Sequence, residues 1–208
     1  MPHRADTLWY LAPGIVHQLG NALFTLQGRA RLLATAEPSR VADDCRAIQD
    51  GVERANTGLN VLRWLLDEGR PSAVPVAQLA HAFVDVARVP LRDRGLTLEL
   101  AEVPREPAPV EPGPICRLLT AGCRAVVANL PGQPGGRLAL NCAAVGTEVR
   151  FAFLLQAAGA APPLDQGHAA DAIRADLAHA QARAEAGGDD EALVLFAPMA
   201  RGATFRTP

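Results

Sequence analysis

Residues 14–33 read GIVHQLGNALFTLQGRARLL, and the spacing of the apolar positions in this stretch decides how the first half of the chain folds. Starting upstream at Leu8, apolar residues recur at Ala12, Ile15, Leu19, Ala22, Leu26, Ala30 and Leu33. Steps of three and four lay a continuous seam along one long amphipathic helix. His17 lies two residues, about 200° of rotation, from Ile15, so the pattern predicts an imidazole pointing away from the seam. Asn21, one turn later, shares its face. Gly14 and Gly20 stand three residues to either side of His17. Each costs a helix about 1 kcal/mol against alanine. The expectation is that both clear space around an exposed ring.

Working outward, AEPSR (36–40) interrupts the pattern and offers Ser39 as an N-cap. A second seam follows through Val41, Cys45, Ile48, Val52, Ala55, Leu59, Leu62 and Leu66, and ends before Gly69 and Pro71. Two long helices joined by a few residues must run antiparallel. Leu23, Phe24, Trp64 and Leu65 lie beside the seams, so the pair has more apolar surface than one partner covers. The expectation is a homodimer in which two hairpins form a four-helix bundle. The plainer alternative packs the hairpin on the rest of its own chain.

After residue 70 the texture changes. A helical pattern over 76–90 precedes the strand GLTLELAEV (95–103), the proline-rich loop PREPAPVEPGP (104–114) and a helix over 115–130. GQPGG (132–136) reads as a turn, and RLALNCAAV with TEVRFAFLL as a β-hairpin through Gly146. The alanine-rich 168–186 predicts a helix, while EALVLFAP (191–198) and GATFRT (202–207) predict closing strands. The fold class expected is α+β: a helical hairpin domain over 1–70, then an α/β sandwich over 71–208 with helices on one face of the sheet.

Composition narrows the function. The 208 residues are 49% hydrophobic and 20% charged, with a net charge of -2. That suits a folded chain and gives no electrostatic footprint for nucleic acid or a membrane surface. Every basic side chain other than histidine is arginine, which excludes P-loop and Schiff-base chemistry, since both need a lysine. Cys45, Cys116, Cys123 and Cys142 form no CxxC pair and are expected as buried free thiols with no metal site. The apolar run from Leu138 is broken by Asn141, Glu148 and Arg150, so no membrane span is expected. With no basic-then-apolar leader, the expected location is cytoplasmic.

His17, Gln18, Leu19, Gly20, Asn21, Ala22 and Leu23 resemble the phospho-acceptor motif of bacterial sensor histidine kinases. That motif is a histidine, an acid, an apolar residue, any residue, an asparagine, often a proline, and leucine. The continuation LQGRARLL and the order of hairpin and sandwich resemble the same family, whose ATP-binding sandwich has the Bergerat fold. RGATFRTP is similar to its last strand. The resemblance implies that His17 accepts a phosphoryl group. It also exposes departures. Thr120 and Arg124 stand where the family keeps two asparagines, and a guanidinium has no lone pair for Mg²⁺. Asp165 and Gly167 match the adenine-binding box poorly, and the glycine-rich lid is missing. Gln18 replaces the acid after the histidine and cannot stabilise an imidazolium by charge. An ATP site degenerate in this way, beside an intact histidine, implies a phosphorelay histidine phosphotransferase needing no cofactor or metal of its own. Its catalytic residues would be His17, Gln18 and Asn21, and its partners response-regulator receiver domains. The alternatives are a non-catalytic module that binds a receiver, or a receiver phosphatase in which Asn21 positions a water.

Overall fold

The computed structural model describes residues 2–33, 40–66, 73–128, 136–156, 173–185 and 191–200. Ser39, Gly69, Pro71, Asp165, Gly167, His168, the residues 132–135 of the expected turn and the 202–207 strand lie outside them. Helix α1 (Pro2–Leu33) is unbroken through Pro13. Helix α2 (Val41–Leu66) returns beside it. Arg29 bridges to Asp44, Gly51 meets Leu26, and Gly58 meets Ile15 and Leu19. As the number rises on one helix it falls on the other, so the pair is antiparallel.

The seam on α2 is rotated from the one the sequence predicts. The buried residues are Asp44, Gly51, Gly58, Val61 and Leu65, with Ile48, Ala55 and Leu62 half-buried between them. Val41, Cys45, Val52, Leu59 and Leu66 remain exposed. A hydrophobicity pattern skips glycine and aspartate. Here two glycines let α1 approach, and the buried Asp44 carboxylate is held by Arg29 at 2.7 Å. On α1 the buried set is Thr7, Leu11, Gly14, Ile15 and Ala22, which adds Thr7, Leu11 and Gly14 to the predicted stripe.

The second half is built on a mixed sheet. A short strand β1 (Val74–Pro75) leads into α3 (Val76–Arg92), which is followed by β2 (Leu96–Glu102). Strand β3 (Pro109–Val110) pairs antiparallel with β1. Then come α4 (Pro112–Ala128), β4 (Gly136–Val145), β5 (Glu148–Gln156), α5 (Arg174–His179), β6 (Arg183–Glu185) and β7 (Glu191–Pro198). The five long-sheet strands run in the order β2-β4-β5-β7-β6, with only β2 and β4 parallel. Gly146, at φ +60, turns the β4–β5 hairpin.

Leu138, Leu140 and Cys142 alternate inward on β4, as do Val149, Phe151 and Phe153 on β5 and Leu193, Leu195 and Ala197 on β7. Helices α3 and α4 cover that face. Gly122 is where α4 comes closest, since a Cβ there would stand 2.8 Å from the Phe153 ring. Fully burying a phenylalanine such as Phe83, Phe151 or Phe153 contributes about 2–3 kcal/mol each. Leu11, Ile15, Val61 and Leu65 of the hairpin belong to the same hydrophobic cluster as this sheet core.

The helix expected over 168–186 is not continuous. Among the described residues α5 ends at His179, and Gln181 takes a left-handed φ of 51°. Residues 183–185 then pair with β7. Alanine-rich sequence favours helix, but the open edge of β7 offers unpaired backbone groups that a strand satisfies. Arg183 is held there by Glu148 and Glu185 and lies 4.0 Å over the Phe196 ring.

Candidate functional site

His17 sits where α1 leaves the sheet domain. One turn earlier, Gly14 packs so tightly on α3 that a Cβ would lie 1.7 Å from the Val86 carbonyl oxygen. Gly14 therefore docks the hairpin on α3 and does not clear space for the ring. Gly20 fits the expectation, with nothing within 4 Å of a Cβ placed there. The His17 side chain is exposed, and its Nε2 lies 2.9 Å from the Asn21 amide nitrogen. With the amide nitrogen as donor, Nε2 of the neutral ring accepts and the ring hydrogen sits on Nδ1. Gln18 lies between the helices, its Cβ 3.6 Å from where one on Gly58 would be, and its Oε1 is buried with no partner among the described residues.

These three side chains line one wall of a cavity of about 330 Å³. The other walls come from Arg54 of α2, from Asp85, Arg88, Val89 and Arg92 of α3, and from Leu96 to Leu98 of β2. Arg88 is fixed twice, its Nε donating to the Leu98 carbonyl at 3.0 Å and its Nη1 to Asp85 at 3.2 Å. Arg54 and Arg92 have no hydrogen-bond or ion-pair partner among the described residues. Three guanidiniums against one carboxylate leave the cavity two positive charges in excess. Nothing in the sequence around His17 announces these arginines. They stand 37 or more positions downstream, and only the antiparallel return of α2 and the docking of α3 bring them to the histidine.

The positions matched to the family's asparagines are placed elsewhere. Thr120 is buried and its hydroxyl donates to the Cys116 carbonyl of its own helix at 2.8 Å. Arg124 is exposed and lines a separate cavity of about 510 Å³ with Arg94, Trp9 and Tyr10. Burial pushes the Tyr10 phenol up, and raises the thiols of Cys116 and Cys142 to about 12. Cys123 is pushed up by burial as well. All four cysteines are free, but Cys45 is exposed and not buried as expected, because the rotated seam turns it to solvent. Of the other histidines, His81 and His179 are exposed. Among the described residues there is no cluster of three or more His, Cys, Asp or Glu side chains suited to a metal ion. No described helix is long and apolar enough to cross a membrane.

The sequence matches no family model and no curated protein. In its fold the chain is similar to solved structures, all at low identity. The structure of a bacterial phosphotransferase is 14% identical, aligned over 93% of this chain and 96% of that one, at a TM-score of 0.41. The histidine kinase AdeS of Acinetobacter baumannii is 12% identical over 88% of this chain and 98% of its own, at 0.46. A histidine kinase from Burkholderia phymatum is 12% identical over 89% and 98%, at 0.48.

Proposed function

We propose that this protein is a histidine phosphotransferase of two-component signalling, taking a phosphoryl group from one receiver domain onto His17 Nε2 and passing it to another. The observation that carries this reading is an exposed histidine whose Nε2 lone pair is set by Asn21, at the mouth of a cavity with excess positive charge. In the acceptance step the Asn21 amide swings off Nε2, the freed lone pair attacks phosphorus, and the P–O bond to the receiver aspartate breaks. The carboxylate leaves with that electron pair, and the Nδ1 proton goes to solvent. An aspartyl phosphate is already activated, so the acceptor needs little beyond a neutral imidazole in line with the leaving oxygen. Gln18 borders the cavity as a neutral polar group.

The active form in this reading is a homodimer. On α1, Trp9, Val16 and Leu23 are exposed at intervals of seven, and on α2 so are Cys45, Val52, Leu59 and Leu66. Each set follows by one residue, about 100°, the residues facing the other helix. Because the helices are antiparallel, both offsets turn to the same side of the hairpin. His17 and Asn21 lie on the other side, so a second copy seated on the stripe leaves the imidazole open.

The test is incubation of the protein with a ³²P-labelled receiver. Acid-labile label on wild type, absent from His17→Ala, is expected. A wild type that stays unlabelled with every receiver of its genome removes the reading.

A further inference from the structure

We propose that Arg54 and Arg92 form an anion cradle that holds the phosphoryl group on His17. This deepens the transfer reading and rests on it for the biological donor. Both guanidiniums line the cavity that contains His17 and Asn21, one from the hairpin and one from the sheet domain. The third arginine there, Arg88, is neutralised by Asp85 and tied to the Leu98 carbonyl. Arg54 and Arg92 line the cavity with no such partner among the described residues, so their donors are unspent. A planar guanidinium matches two phosphate oxygens with two parallel N–H donors. The cavity of about 330 Å³ has room for a phosphoryl dianion beside the imidazole.

The arrangement also gives the sheet domain a task in transfer. Arg92 occupies the last turn of α3, and α3 is held against α1 at the Gly14–Val86 contact. The cradle is therefore complete only when hairpin and sheet domain are docked. As phosphorus bonds to Nε2, its oxygens gain charge that the two arginines offset, favouring both the transition state and the phosphohistidine.

The experiment uses the full chain and potassium phosphoramidate, a small phosphoryl donor that bypasses any receiver. Nε2 attacks phosphorus, the P–N bond breaks, and ammonia leaves with its electron pair. Phosphohistidine is read by ³¹P NMR and intact mass in wild type, His17→Ala, Arg54→Gln/Arg92→Gln and Arg54→Lys/Arg92→Lys. Wild type should be modified at His17, and the glutamine pair tenfold or more slowly with an unchanged circular dichroism spectrum. The lysine pair keeps both charges but loses the parallel donors, so its rate should fall between wild type and the glutamine pair, which controls for a glutamine pair that misfolds. Equal rates in wild type and the folded glutamine pair overturn the cradle and leave the transfer function standing. Modification that depends on the arginines, in a protein that no phosphorylated receiver labels, keeps the cradle and removes the transfer function.

Discussion

At a single residue, the nitrogen that holds the imidazole's lone pair decides whether His17 is a nucleophile toward the cavity. The Asn21 amide sets it by donating to Nε2. Asn21→Asp reverses the polarity, because a carboxylate accepts and draws the ring hydrogen onto Nε2. The expected outcome is a switch of tautomer in ¹⁵N-detected NMR of His17 and roughly a tenfold slower phosphoryl acceptance, the worth of one charge-assisted hydrogen bond. An unchanged tautomer would show that Asn21 does not control the ring. The flanking glycines make a second pair of opposite expectations. Gly14→Ala drives a methyl into the Val86 carbonyl and should lower stability by about 3 kcal/mol, since the backbones of α1 and α3 must separate. Gly20→Ala meets open space and should raise stability by about 1 kcal/mol through helix propensity alone. Urea unfolding of both variants measures the difference. The environment of Gly14 was not legible in the sequence, because its neighbour Val86 is 72 positions away and spacing along one helix says nothing of which second helix crosses it.

At the scale of elements, periodicity found what depends on local spacing. Both hairpin helices, α3, α4, the β4–β5 hairpin and β7 fall where their three-and-four or alternating patterns put them. Two kinds of feature escaped. The seam on α2 runs through Asp44, Gly51 and Gly58, residues that no hydrophobicity pattern ranks as interior, and β6 forms because β7 has an open edge. The same rotation produced the surplus stripe on which the dimer proposal rests. Leu23→Glu with Leu59→Glu places a charge on each helix at positions 58% and 43% exposed. The monomer should keep its helicity, since neither side chain enters its core. Light scattering should then report half the wild-type mass. A wild type already monomeric at micromolar concentration would show the stripe to be plain surface. The Arg29–Asp44 pair stands outside this test, holding the two helices together near their connection.

At the scale of the whole molecule, one continuous hydrophobic cluster joins the base of the hairpin to the sheet, so the two halves should lose structure together. Cys116 and Cys123 on α4 and Cys142 on β4 sit inside that cluster. Their burial makes alkaline pH a probe of the whole core. Cys116 and Cys142 are raised from an ordinary 9.0 to about 12, and Cys123 is raised as well. Folding thus favours the neutral thiol. Below pH 9 both states hold these protons and the thiols contribute no slope. Above it the unfolded chain releases them while the native chain does not, so stability falls as pH rises from 9 toward 12. The three groups act in the same direction, so their effects on the alkaline slope add. Tyr10, also raised by burial, adds to the slope above 10. Under reducing conditions the urea midpoint should be flat from pH 6 to 8 and drop steeply above 9, with hairpin and sheet probes moving together. Replacing all three cysteines by alanine lowers the midpoint at pH 7 through lost packing, yet it should flatten the alkaline slope. A slope between pH 9 and 10, below the range of Tyr10, that survives the triple replacement would place the alkaline weakness somewhere other than the interface between α4 and the sheet.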